Sequence, residues 1–149
     1  MAKIRLVEWD SSFSVGIDSI DADHRRLTDF IARINDATET AQVDEAVVIF
    51  EAFVAYLVDH TRREEDLLRQ SLPGQEVDAH ARQHRAGIEA AEKSLAKLRR
   101  DRNVSNLQDS ASFLKSWLKT HVFEQDLKIF NSAEGAAAAE KMTVMNDDQ

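Results

Sequence analysis

Cysteine is absent from this 149-residue chain, which excludes a disulfide framework, a thiolate metal site and a cysteine nucleophile together. Proline occurs once and glycine four times, too few for the many tight turns of an all-β sandwich, so long helices with few breaks are expected. No apolar run approaches the ~18 residues of a membrane span. The stretch Met1–Asp10 carries Lys3 and Arg5 without the continuous apolar segment of a signal peptide. Basic residues are in deficit as well. Nineteen Lys and Arg against 27 Asp and Glu leave a net charge of −8, which repels phosphate backbones and anionic lipid. The expectation is therefore a cytoplasmic protein with no nucleic-acid partner and no membrane insertion, folded as one domain around one core.

What the chain does have is helical periodicity. Residues 1–18 read as an extended arm, with Trp9, Phe13, Val15 and Ile17 alternating with polar residues and Gly16 interrupting any helix. Four segments with apolar spacings of three and four follow, near 19–37, 43–70, 74–100 and 106–130. The break Ser71-Leu72-Pro73-Gly74 separates the second from the third, and Ser105 with Gln108 has the spacing of a capping box at the start of the fourth. Short connections favour antiparallel neighbours, so the predicted fold is all-α, an up-down-up-down four-helix bundle over 19–130. Residues 131–149, an alanine-rich stretch with Met142 and Met145, read as a short helical tail packed loosely on the bundle.

All five histidines, His24, His60, His80, His84 and His121, fall on stripes that should otherwise be apolar, and Glu64 and Asp126 share those helices. In an antiparallel bundle the start of the first helix, the end of the second, the start of the third and the end of the fourth lie at one end. A rise of ~1.5 Å per residue then brings all seven groups to one level. Seven donors exceed the four or so of a tetrahedral zinc and suit two octahedral metals sharing bridging carboxylates. The alternative is a hydrogen-bonded polar layer without metal, in which even one unpaired buried group costs ~1–3 kcal/mol. His60/Glu64 and His80/His84 are four apart and share a helix face. His121 and Asp126 are five apart, about 140° different on a regular helix, so either they straddle two metals or the helix widens locally as a π-bulge.

The motifs Asp23-His24, His60-x-x-x-Glu64, His80-x-x-x-His84 and His121-x-x-x-x-Asp126, with Trp9 and Val15-Gly16-Ile17-Asp18 upstream, resemble the hemerythrin family, specifically its bacteriohemerythrins. The resemblance extends to Phe130. It implies two non-haem iron ions, one held by His80, His84 and His121 and the other by His24 and His60. Glu64, Asp126 and an oxo or hydroxo group would bridge them. It further implies reversible dioxygen binding for transport, storage or delivery rather than enzymatic turnover, with dioxygen at the open position of the two-histidine iron. An oxygen or redox sensor and an enzyme reducing peroxide or nitric oxide are the alternatives. A ferritin-like oxidase is disfavoured because no Glu-x-x-His pair occurs. The chain departs from the family pattern at Leu72-Pro73 and at Arg85-Ala86-Gly87, where aromatic residues are common.

Leu27, Trp117 and Leu118 lie within a turn of these ligands and are the candidate wall of the oxygen pocket. Ligating histidines donate their second ring N–H to a carbonyl or carboxylate, and spacing alone identifies no such partner. Glu65, beside Glu64, reads as surface or as a contact to a ligand. The doublets Arg25-Arg26, Arg62-Arg63 and Arg99-Arg100 read as solvated helix faces.

Overall fold

The four periodic segments are helices in the computed structural model of the protein, which describes Trp9 and residues 11–132. They are α1 (Asp18–Glu39), α2 (Val43–Leu68), α3 (Gly74–Arg100) and α4 (Val104–Leu118). A π segment, Lys119–Asp126, extends α4, and helix continues through residue 132. Around the bundle, α1 packs on α2 and α4, and α3 packs on α2 and α4, as in an antiparallel four-helix bundle. No described helix is long and apolar enough to cross a membrane.

The connections are tight because the caps are. After α1, Ala41 takes the left-handed conformation at φ 56°, the Ala41 N–H reaches Thr38 O and the Gln42 N–H reaches Ala37 O at 3.0 Å. This is a Schellman ending, with alanine where glycine is usual. The start of α4 corrects the sequence reading. The cap is Asn103, extended at φ −124°, whose side chain accepts the Asn106 N–H at 2.8 Å, so Ser105 and Gln108 lie inside the helix. An asparagine two residues earlier meets the free N–H groups first.

The arm is not wholly extended. Ser11–Phe13 forms a 3₁₀ turn, and the Trp9 ring stands edge-on to Phe13 at 5.6 Å. Val15 is buried, and Asp21 of α1 accepts its N–H at 2.9 Å together with the Ser14 hydroxyl. Residues 1–8 and 10 of the arm, and the tail from 133 with Met142 and Met145, lie outside the described residues.

The core is divided in two. One large cluster runs from Leu27, Leu57 and Leu118 to Ile34, Leu98 and Leu107. A smaller one joins Val15, Ile20, Leu68, Val77 and Phe130. Each boundary between them falls within a turn of a histidine or acid from the predicted set, so a polar tier lies between two apolar ones.

Candidate metal centre

All seven predicted donors are in that tier, none more than 3% exposed. His24 comes from α1, His60 and Glu64 from α2, His80 and His84 from α3, and His121 and Asp126 from the π segment. Their donor atoms form two groups within 4.8 Å: His24, His60, Glu64, His121 and Asp126 in one, Glu64, His80, His84 and Asp126 in the other. Both carboxylates belong to both groups.

Each carboxylate divides its oxygens between the groups. Glu64 Oε1 lies 2.7 Å from His80 Nε2 and 3.0 Å from His84 Nε2, while Oε2 lies 3.1 Å from His60 Nε2 and 3.5 Å from His24 Nε2. Asp126 Oδ1 lies 3.0 Å from His80 Nε2, while Oδ2 lies 2.8 Å from His24 Nε2 and 2.9 Å from His121 Nε2. Although these separations are short, His24 Nε2, Glu64 Oε2 and both Asp126 oxygens are buried without an aligned hydrogen-bond partner. Nitrogen and oxygen donors facing common points, several of them unpaired, suit cation coordination, and five imidazoles with two carboxylates suit a transition metal such as iron. By its donor atom His121 belongs to the first group, although its ring also lies beside that of His84. Its ring centroid is 5.1 Å from that of His84, 5.6 Å from His60 and 5.7 Å from His24, while its Nε2 lies 3.4 Å from His60 Nε2.

The π segment resolves the five-residue spacing. Widening the helix brings positions five apart onto one face, so His121 and Asp126 both point inward. Of the two readings left open by the sequence, local widening is the one found. It still leaves Asp126 contacting both groups.

Electrostatics follow from two buried acids among five imidazoles. Burial alone would raise the Glu64 carboxyl, but close contacts with His24, His60, His80 and His84 hold it well below the usual carboxylate range. Asp126 is likewise pushed down to about 2, its histidine contacts outweighing burial and the Glu64 charge. The histidines respond in the opposite direction. Burial lowers His24 and His80, yet contacts with Asp126 and Glu64 outweigh it and push each up to about 9. His121, fully enclosed, differs: burial prevails over the Asp126 charge and holds it below its ordinary value. Protons on His24, His60 and His80 thus balance the acids where cations would otherwise do so.

Two histidines have acidic partners at their second ring nitrogen, and these were not legible from spacing. His60 Nδ1 meets Asp23 Oδ2 at 3.0 Å. Asp23 also accepts both Arg63 Nε and Nη2 at 2.9 Å and the Tyr56 hydroxyl at 2.7 Å. These bonds outweigh its burial and hold Asp23 far below the usual carboxylate range. His84 Nδ1 meets Glu65 Oε2 at 2.8 Å, so Glu65 is a contact to a predicted ligand. The only hint in the sequence was adjacency, Asp23 to His24 and Glu65 to Glu64; the histidine each one serves lies 37 and 19 residues away. Arg63 is consequently more than a solvated face. Arg25 lies over the Trp9 ring and Arg26 over Phe30, each at 5.2 Å, while Arg99 pairs with Glu51 at the surface.

Of the three predicted pocket residues, Leu27 and Leu118 are buried in the large cluster and Trp117 packs against it. Trp117 also stacks on His121, with centroids 4.7 Å apart and planes 11° from parallel.

Comparison with known proteins agrees with this geometry. The family profile described as Hemerythrin HHE cation binding domain matches residues 15–133. A bacteriohemerythrin of Clostridium acetobutylicum is 25% identical over 123 residues, covering 79% of this chain and 94% of that protein. A bacteriohemerythrin of Stenotrophomonas maltophilia is 25% identical over 122 residues, covering 81% of this chain and 77% of the relative.

Proposed function

The chain belongs to the hemerythrin family, and from that premise we propose that it binds dioxygen reversibly at a pair of non-haem iron ions, as a carrier or store. The observation that carries this reading is that Glu64 and Asp126 each divide their two oxygens between two histidine groups. A single ion would leave one oxygen of each buried acid unused.

Two ferrous ions held there would supply two electrons to dioxygen and recover them on its release. The residues of the chain do the remainder. Glu64 and Asp126 place two negative charges between the cations, keeping the net charge of the buried tier small. The histidines bind as neutral imidazoles, so the site loads by displacing the protons that His24 and His80 otherwise hold. Asp23 and Glu65 fix which ring nitrogen of His60 and His84 faces inward. Leu27, Leu118 and Trp117 exclude water and slow proton access to bound dioxygen.

His121 joins one ion only, so one position has three histidines and the other two. The family resemblance assigns His121 to His80 and His84, whereas its donor atom here lies with those of His24 and His60; whichever position has two histidines would be the one open to dioxygen. Tier, donors and wall together support binding.

The test is to purify the protein, count iron per chain, and record optical spectra of the reduced form under nitrogen, in air and under nitrogen again. Two irons per chain and a colour that cycles are expected. One iron per chain, or irreversible bleaching with substrate turnover, would overturn the reading.

A further inference from the structure

Gly87 is buried in the interior of α3, three residues past His84, at a position where helix propensity favours alanine. The reason for glycine lies across the bundle. A Cβ built on Gly87 would stand 2.4 Å from Trp117 Nε1, 3.2 Å from Cε2 and 3.3 Å from Cδ1. The indole therefore occupies the space that any other residue's side chain would fill. Gly74, at the start of the same helix, has nothing within 4 Å of its Cβ position, so the crowding is specific to position 87.

The ring seated in that notch is held on two further sides. It lies face to face with His121 and edge-on to the fully buried Phe53, at 6.1 Å and 86°. Trp117 is nevertheless only half-buried, so one rigid ring reaches from a predicted ligand to the solvent boundary.

We propose that Gly87 is a positioning residue: its bare backbone seats Trp117 flat on His121, and this seat sets how fast small molecules reach the tier from that side. The second half of the proposal rests on the di-iron reading; the first does not. An added methyl at 87 cannot be absorbed by the α3 backbone, so the indole must tilt off the imidazole and lose its close fit.

The experiment separates the two halves. In a Trp9→Phe background Trp117 is the one remaining tryptophan. Indole emission and acrylamide quenching are measured on the metal-free protein, and azide binding is timed on the iron-loaded ferric protein. Gly87→Ala is expected to red-shift the emission and to raise both the quenching constant and the azide rate several-fold, while Gly74→Ala moves none of them. Adding Gly87→Ala to Trp117→Phe should change the azide rate little, because the indole nitrogen, which makes the one severe collision with the methyl, is then absent. Unchanged emission and quenching in Gly87→Ala would overturn the seat whether or not iron binds. A displaced indole with an unchanged azide rate would overturn the control of access alone. Failure of the parent protein to load an iron pair would overturn the di-iron reading and the access half, and the fluorescence comparison would still decide the seat.

Discussion

His80 and His84 reach the polar tier from a regular helix, four residues apart, whereas His121 and Asp126 reach it from a π segment, five apart. The first pair needs nothing beyond α-helical geometry, since side chains at i and i+4 share a face wherever the helix forms. The second needs a local departure from that geometry, and π turns are rare in isolation. Packing of α4 on α1 and α3, with apolar anchors on both sides of the tier, holds the widened turn in place. Two ligands delivered by local structure thus face two whose delivery depends on tertiary context.

The largest effect should come from altering these spacings. Inserting one alanine between Arg82 and Gln83 rotates His80 by about 100° relative to His84 and is expected to abolish loading of the pair, as read by iron per chain. Deleting Gln125 should be tolerated better. It returns the π segment to α-helical spacing, keeps Asp126 on the His121 face and leaves Phe130 in register. Equal loss in both variants would erase the distinction between α3 and α4.

A smaller change should follow from the acids behind the ligands. Asp23→Asn and Arg63→Met both act on His60, by removing the charge of its acceptor or by releasing the acceptor's anchor. Asp23→Asn is expected to weaken metal binding by roughly 10–100-fold, and the double variant should be little worse than Asp23→Asn alone. Metal titration followed by competition with a chelator checks this, and additive losses would show that Arg63 acts elsewhere.

The pH dependence of the metal-free protein sharpens the same contrast. His24 and His80 are raised to about 9, so the stability they contribute is complete below the usual histidine value of about 6.5 and is lost as pH rises through 9. His121, lowered by burial, contributes in the opposite sense. The melting temperature of the metal-free form should fall between pH 6.5 and 9, while affinity for added metal rises over the same window as protons become easier to displace. A melting temperature that climbs across that window would mean that burial outweighs the acids at His24 and His80 too.

The smallest effect concerns the start of α4. Asn103→Ala should cost about 1 kcal/mol in chemical denaturation, and Ser105→Ala much less, because Asn103 carries the cap. The reverse order would restore Ser105 as the capping residue.

The stripes, the four helices and the convergence of seven donors were legible because each depends on spacing within one helix and on the order of helices in the chain. The Ser105 capping box was misread because Asn103, two residues upstream, competes for the same N–H groups and reaches them first. The five-residue spacing of His121 and Asp126 announced an irregularity without saying which. Arg63 looked like an ordinary exposed cation, and only the fold shows that it grips an acid 40 residues away.

By itself, then, the amino-acid order determined which faces are apolar and which residues share a level, since helical periodicity and rise are local quantities. Lateral neighbours were decided by tertiary structure alone: the carboxylate behind each imidazole, the indole resting on His121, the glycine that makes room for it and the widened turn that aims Asp126. These depend on how helices rotate about their own axes when packed, and that rotation minimises the energy of the whole bundle rather than of any one segment.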